Sequence, residues 1–317
     1  MKSVIILSCV YNDWASAEDL FRALDQQFSQ RDWNAHLVLV DDGSHEARPA
    51  NFLATLQRFS SIEIVGLRRN MGHQRALAIG LSYVLETEKK EPVVVMDADG
   101  EDRPEDVVRL VDTFAGGDGT RIIFAERSKR SEGALFRLLY LFYRALHFLL
   151  TGYGIRFGNF SIIPPKLIGA LVVDPNLWLH YAATVVSARL PFTTIPTERG
   201  VRLHGQSKLN LTHMVIHGLS AITCYSEVVG LRLILGTFGL ILAITFVMVS
   251  VLVIKLATPW AIPGWTSSVM GISGILLLQS LLIMLAFIGV AIGGRKSHFF
   301  FPLQQYRVLI DEVHRIR

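Results

Sequence analysis

Short apolar runs that stop abruptly at polar or acidic residues recur along the first half of the chain. Val4–Val10 runs into Tyr11-Asn12-Asp13, and His36–Val40 into Asp41-Asp42-Gly43-Ser44. Ile62–Leu67 leads to Asn70-Met71-Gly72, Val93–Met96 to Asp97-Ala98-Asp99-Gly100-Glu101-Asp102, and Arg121–Ala125 to Glu126-Arg127. Unbroken runs rich in β-branched residues are the pattern of strands buried on both faces. The stretches Ala15–Gln30, Ala50–Arg58, Gln74–Leu85 and Glu105–Phe114 between them carry helical patterning. Strand, polar turn and helix in alternation predict an α/β fold: a mostly parallel twisted sheet with helices on both faces.

The second half follows a different pattern. No charged residue lies between Arg232 and Lys255, or between Lys255 and Arg295. Each gap holds about 20 apolar residues, enough to cross a bilayer core. Two transmembrane helices are expected, near Leu233–Ile254 and Ser268–Ile292. Pro259, Trp260, Pro263, Gly264 and Trp265 form the turn between them, with aromatics at interface depth. Lys208, Arg232, Arg295 and Lys296 flank the outer ends, so both ends are expected in the cytoplasm. Ala134–Leu150 is apolar except for Arg137, Arg144 and His147, which share one helical face. It reads as an interfacial helix with its basic side toward lipid phosphates, and 176–190 as a second, weaker one. The expected plan is a cytoplasmic catalytic domain over 1–210, a juxtamembrane segment at 211–232, two spans within 233–292 and a cytoplasmic tail over 293–317.

Composition changes this picture little. The net charge is +4 over 317 residues, with neither a basic stripe nor zinc-ligand spacing, so nucleic acid is not an expected partner. Met1–Val10 reads as a strand rather than a secretory leader. Two distant cysteines, Cys9 and Cys224, predict no disulfide framework. Gly236 and Gly239 in the first span permit close packing with a second copy, so a homo-oligomer is admitted.

The chemistry concentrates where the strands end. Open α/β sheets hold their ligands beyond the carboxyl ends of the strands. Asp97, Asp99 and Glu101 therefore stand at the mouth of a cleft, with spacing that suits a hard divalent cation. Arg199-Gly200-Val201-Arg202-Leu203-His204-Gly205-Gln206-Ser207-Lys208 is basic and flexible, and lies just ahead of the first span. Arg202 and Lys208 have the chemistry to hold a phosphate or a diphosphate.

Five motifs in order resemble family 2 glycosyltransferases of the GT-A fold, in particular the polyisoprenyl-phosphate glycosyltransferases. Val10-Tyr11-Asn12-Asp13 looks like their opening VYNE, with Asp replacing Glu. Asp41-Asp42-Gly43-Ser44 matches DDGS, and Asn70 to Ala76 matches NxGxxxA. Asp97 to Glu105 looks like DADLQDPPE, with Glu101 in place of Gln, and Arg202 to Lys208 matches RxxGxSK. The resemblance covers roughly residues 1–292 and does not extend to the tail. It implies transfer of a sugar from an NDP-sugar to a membrane polyisoprenyl phosphate, undecaprenyl or dolichyl, with inversion, at the bacterial inner membrane. Asp97, Asp99, Arg127, Arg202 and Lys208 would then be catalytic. Val10, Asn12, Asp13, Asp42, Asn70, Gly72 and Asp97 would bind the nucleotide-sugar. Arg127, Arg130, Arg202, Ser207 and Lys208 would hold the acceptor phosphate, and Asp99 and Glu101 would hold Mg2+ or Mn2+. Asn159 would shape the acceptor pocket. Two other readings stand beside this one. The first is a family 2 enzyme acting on a glycan or another lipid acceptor, whose usual QxxRW is matched only in part by Gln304 to Val308. The second is a non-catalytic membrane scaffold on a transferase fold.

Overall fold

The computed structural model describes residues 2–31, 33–87, 90–127, 134–154, 157–198, 200, 202–204, 211–258, 264–296 and 301–317. The first half alternates as expected: β1 (Lys2–Val10), α1 (Trp14–Ser29), β2 (Trp33–Asp41), β3 (Phe59–Leu67), α2 (His73–Glu86), β4 (Val93–Asp97), α3 (Pro104–Gly116) and β5 (Ile122–Arg127). Then come α4 (Ala134–Thr151), β6 (Ser161–Ile163), α5 (Pro165–Val172), α6 (Tyr181–Ser187), β7 (Phe192–Thr197), α7 (Leu211–Thr223), α8 (Ser226–Ala257), α9 (Trp265–Lys296), α10 (Pro302–Leu309) and β8 (Ile310–Arg315). The strands form one sheet in the order β7-β5-β6-β4-β1-β2-β3-β8. The central pairs β4–β1, β1–β2 and β2–β3 are parallel, whereas β6 and β8 run antiparallel to their neighbours.

Alternate residues of each central strand face opposite ways, and both faces are buried. Val4, Ile6, Leu37, Leu39, Val94 and Met96 pack with α1 and α3, while Ile5, Leu7, Val38, Val40, Val93 and Val95 pack with α2 and α6. This is why the strands read as unbroken apolar runs rather than alternating ones.

Three sequence expectations need correction. Ala50–Arg58 is not a helix. Phe52, Leu53 and Leu56 all turn into the core, each 3% exposed or less, and Leu53 takes a left-handed φ of 58°. The backbone there is a series of tight turns. Residues 176–190 do not form an interfacial helix. A short 3-10 turn at Pro175–Trp178 leads into α6, whose Tyr181, Ala182, Ala183 and Val185 are fully buried against the sheet. Apolar periodicity alone does not separate a core-facing helix from a membrane-facing one. The tail is not a separate region either, because β8 pairs with β3 and joins the eight-stranded sheet.

The chain divides into two compact units: 1–140, 154–224 and 299–317 in one, 141–153 and 225–298 in the other. In the second unit, α8 and the stretch Trp265–Val290 of α9 are long and apolar enough to cross a membrane. Exposed Leu141, Phe142, Phe148 and Leu149 give the second half of α4 an apolar surface. His147 does not point outward with them. It is 4% exposed and hydrogen-bonded through Nδ1 to the Tyr153 carbonyl at 2.9 Å, so it is not a phosphate-facing group. Arg232 also has a local role, because its guanidinium donates to the Leu149 carbonyl at 2.7 Å and so caps the end of α4. The Pro259–Pro263 turn lies outside the described residues.

Candidate functional site

Register brings three strand ends together. Cys9 of β1 lies beside Asp97 of β4, and Val10 beside Asp41 of β2. The loops after β1, β2 and β4 therefore meet at the carboxyl edge of the sheet. Val10 itself belongs to the core at 3% exposure, and its carbonyl accepts from the Asp42 amide. Asn12 braces two loops from a left-handed φ of 49°, a conformation asparagine tolerates. Its side-chain Oδ1 accepts from the amides of His45 at 2.8 Å and Glu46 at 3.0 Å, and its own amide donates to Ser44 Oγ at 2.9 Å.

Asp42 sits behind the cleft rather than in it. It is 3% exposed, and its carboxylate accepts from the Met71 amide at 2.7 Å and the Gly72 amide at 3.0 Å. Burial pushes its carboxyl above the ordinary value, and the two amides pull it back. Its work is to fix the Asn70–Gly72 loop. Gly43 is required for the same docking: a Cβ there would lie 2.6 Å from the Arg69 carbonyl carbon, at a φ of 71°. Asn70 is exposed at the loop's surface.

The acidic turn is held from within. Buried Asp102 accepts from the Asp97 amide at 2.9 Å, and Asp99 Oδ1 accepts from the Glu101 amide at 3.0 Å. The segment around 200–204 lies across this turn. The Gly200 amide donates to the Glu101 carbonyl at 2.8 Å, and the Leu203 amide to the Asp99 carbonyl at 3.1 Å. Arg202 then reaches into the cleft. Its Nη2 is 2.9 Å from Asp13 Oδ2, and its Nη1 is 3.3 Å from Asp99 Oδ2. One guanidinium thus joins the end of β1 to the end of β4. The sequence marked all three residues; it did not show that they meet.

Gly100 is the hinge of that contact. Its φ is 86°, and a Cβ would lie 2.5 Å from Leu203 Cγ. We expect Gly100→Ala to cost about 1–3 kcal/mol of stability through backbone strain and the clash. Thermal denaturation checks the loss, and a change below a few tenths of a kcal/mol would contradict the packing of Leu203 on the turn.

On the other side of Asp97 stand His73 and Gln74, which the sequence reading did not single out as site residues, together with Asn159, which it assigned to the acceptor pocket. His73, the first residue of α2, places Nε2 3.2 Å from Asp97 Oδ1. Asn159 Nδ2 is 2.9 Å from the same nitrogen. Gln74 Nε2 donates to Asn159 Oδ1 at 3.2 Å, and Gln74 Oε1 accepts from the Tyr181 amide at 2.7 Å. Desolvation lowers the His73 pKa against the opposing pull of Asp42, Asp102 and Asp99, which favours the neutral ring. The available signal was position alone, since both residues follow Gly72 in the NxGxxxA motif.

Of the basic residues expected at the site, Arg127 closes β5. Arg130, Ser207 and Lys208 lie outside the described residues. Among the described residues, no group of three or more His, Cys, Asp or Glu side chains forms a complete metal cage. Two carboxylates, the number offered by Asp99 and Glu101, match what a magnesium-like ion takes from protein, the rest of its shell coming from phosphate oxygens and water. The Asp13–Asp99 gap already accommodates a cation, the Arg202 guanidinium.

A family model described as glycosyl transferase family 2 matches residues 3–169. The uncharacterized glycosyltransferase YkcC of Bacillus subtilis is 27% identical over 90% of this chain and 86% of its own length. Undecaprenyl-phosphate 4-deoxy-4-formamido-L-arabinose transferase of Erwinia tasmaniensis is 28% identical over 81% of this chain and 77% of its own. Among solved structures, mannosyl-3-phosphoglycerate synthase of Rubrobacter xylanophilus aligns over 71% of this chain and 73% of its own, with 14% identity and a TM-score of 0.49.

Proposed function

Because the chain belongs to glycosyl transferase family 2, we propose that this glycosyltransferase moves a sugar from an NDP-sugar onto a polyisoprenyl phosphate in a membrane. One observation carries the reading: the acidic cleft crossed by Arg202 is encoded in the same chain as two membrane-length helices. The Erwinia relative, whose printed name specifies an undecaprenyl-phosphate acceptor, supports it.

In this reading the nucleoside lies over the Asn12–Ser44 brace, near Asp13, and the diphosphate lies between Asp99 and Arg202. Asp99 and Glu101 would hold Mg2+ or Mn2+, which supplies positive charge to the diphosphate when bound. Breaking the bond from the sugar carbon to oxygen leaves negative charge on the departing NDP. Arg202 is placed to answer that charge by turning its fork from Asp13 and Asp99 to phosphate oxygens. The acceptor needs no general base, because a phosphate monoester with a second pKa of about 6 is mostly dianionic at neutral pH. Direct attack by a phosphate oxygen on the face opposite the NDP gives inversion. Arg127, Arg130, Ser207 and Lys208 are assigned to the acceptor phosphate.

A hairpin topology is part of this reading. The chain leaves the catalytic unit at 224 and returns to it at 299, with both apolar helices between. Both outer ends of the helix pair are therefore assigned to the same side of the membrane as the sheet, which positive flanking residues make the cytoplasm.

The test is a panel of radiolabelled NDP-sugars incubated with the purified protein and vesicles containing polyprenyl phosphate, followed by lipid extraction. Label should enter the lipid phase only when polyprenyl phosphate is present. EDTA should stop it, and Mg2+ or Mn2+ should restore it. Label released only as free sugar, or built into a glycan, would overturn the acceptor assignment. Within that assay Arg202→Ala should lower kcat/KM about 10- to 100-fold while the protein stays in the membrane fraction, the value of a charge-assisted phosphate contact. Arg202→Lys should recover only part of it, because an ammonium cannot make the bidentate fork. Unchanged kinetics in Arg202→Ala would remove the residue from the site.

A further inference from the structure

One backbone donor orients the two side-chain amides beside Asp97. It is the Tyr181 backbone amide, which is a donor and nothing else. The group 2.7 Å from it must be the Gln74 oxygen. The Gln74 nitrogen therefore faces Asn159 and donates to its oxygen at 3.2 Å. That leaves the Asn159 nitrogen, a donor, aimed at His73 Nε2 at 2.9 Å. In the neutral ring Nε2 is then the acceptor nitrogen, with the proton on Nδ1. Side-chain amide and tautomer assignments are usually ambiguous; here a backbone donor fixes them in sequence. The same Nε2 stands 3.2 Å from Asp97 Oδ1, so two acceptors approach one another next to an amide donor.

A hydroxyl matches this arrangement. Its hydrogen can go to the Asp97 carboxylate, because the one lone pair of Nε2 already accepts from Asn159, and its oxygen can accept from the second Asn159 N–H. Neither a carboxylate nor a phosphate dianion offers that hydrogen, and an ammonium offers no acceptor.

Sheet order says which hydroxyl. The sequence of strands across this edge is β6-β4-β1-β2. The Asn12–Ser44 brace lies over β1 and β2, and Asp13, Arg202 and Asp99 over β1 and β4. Asp97, His73 and Asn159, which just precedes β6, lie on the β4–β6 side. A nucleotide-sugar with its nucleoside over β1–β2 and its diphosphate at Asp99 directs its glycosyl group toward β6. We propose that His73 and Asn159, oriented by Gln74 and the Tyr181 amide, form with Asp97 a bracket for one hydroxyl of the donor sugar and so help set which sugar is accepted. This rests on the donor reading of the cleft and is independent of the acceptor.

The test is calorimetric binding, without acceptor, to the purified full-length protein in detergent. UDP-glucose, UDP-galactose, UDP-N-acetylglucosamine and GDP-mannose are compared with UDP and GDP. His73→Ala, which removes the group holding the Asn159 amide, should weaken the preferred NDP-sugar about tenfold, the worth of one misplaced hydrogen bond, and change binding of the corresponding NDP by less than about twofold. Asn159→Ala should do the same, and His73→Gln, whose amide can reach the same position, should recover most of the loss. Equal weakening of NDP and NDP-sugar, or no weakening of the NDP-sugar, would overturn the bracket. Wild-type protein that binds none of the four sugars would overturn the donor reading and the bracket together. Tight donor binding without transfer to polyprenyl phosphate would count against the acceptor assignment alone and leave the bracket standing.

Discussion

Alanine in place of Asp99 should reduce sugar transfer by at least about 10²–10³-fold while the protein remains folded and membrane-bound. Asp99 has two tasks that separate on mutation. Its Oδ1 accepts from the Glu101 amide and shapes the acidic turn, whereas its Oδ2 faces the cleft at Arg202 Nη1. The turn has other supports, namely Asp102 on the Asp97 amide and the Gly200 and Leu203 amides on the carbonyls of Glu101 and Asp99. Loss of the side chain therefore costs little structure. The cleft loses the carboxylate best placed to hold a cation against the diphosphate, and removing a preorganised charge-stabilising group costs about 3–4 kcal/mol in a transition state. Asp99→Asn should be nearly as inactive, because an amide is a poor ligand for a hard cation. Initial rates over a Mg2+ or Mn2+ titration, with circular dichroism as the folding control, give the answer. Metal-dependent transfer near the wild-type rate in Asp99→Ala would dismiss the assigned role.

Removing residues 310–317 should destabilise the catalytic unit by about 3–5 kcal/mol, although none of them belongs to the candidate site. The tail pairs with β3 from Glu63–Arg315 to Leu67–Ile310. It adds Ile62 amide to Arg317 carbonyl at 3.2 Å, Ile316 amide to Ile62 carbonyl at 3.0 Å and Arg317 Nη1 to the Leu56 carbonyl at 2.9 Å. Several such bonds at roughly 0.5–1.5 kcal/mol each give the total. Denaturant unfolding of the truncated protein in detergent measures it. A midpoint within experimental error of the full chain would mean that β8 is an ornament on the sheet.

The central fold was legible because both of its faces are buried. Strands such as Val93–Met96 carry no polar alternation, and their ends carry the acids, so fold class and cleft edge came from one pattern. The two apolar helices were legible for the same reason, being apolar all round. What stayed hidden depended on pairing at a distance. The sequence marked Arg202, Asp13 and Asp99 separately, but only the β1–β4 register and the crossing of 200–204 bring them within one guanidinium's reach. Asp42 read as a ligand-facing acid, yet its oxygens are taken by the Met71 and Gly72 amides, a use that motif spacing does not reveal. His147 shared a helical face with Arg144 and still turned inward to a carbonyl. β8 reads as charged tail because an edge strand with one partner needs little apolar character; Asp311, Glu312, His314 and Arg315 are all exposed.

The position of β8 sets an order of events during synthesis. β3 ends at residue 67 and its partner begins at residue 310, with both apolar helices between. At roughly 5–20 residues per second, the ribosome needs about 10–50 s to travel from one to the other. Throughout that time the edge of β3 is open, and an open edge is a template for pairing with the wrong chain. The strand that closes it emerges after both apolar helices and, in the proposed topology, must emerge on the side where the sheet is waiting. In the proposed hairpin topology, a nascent chain whose helix pair inserts with the wrong number of crossings delivers β8 to the opposite side and leaves its sheet unfinished. In that topology, completion of the sheet is a readout of correct insertion.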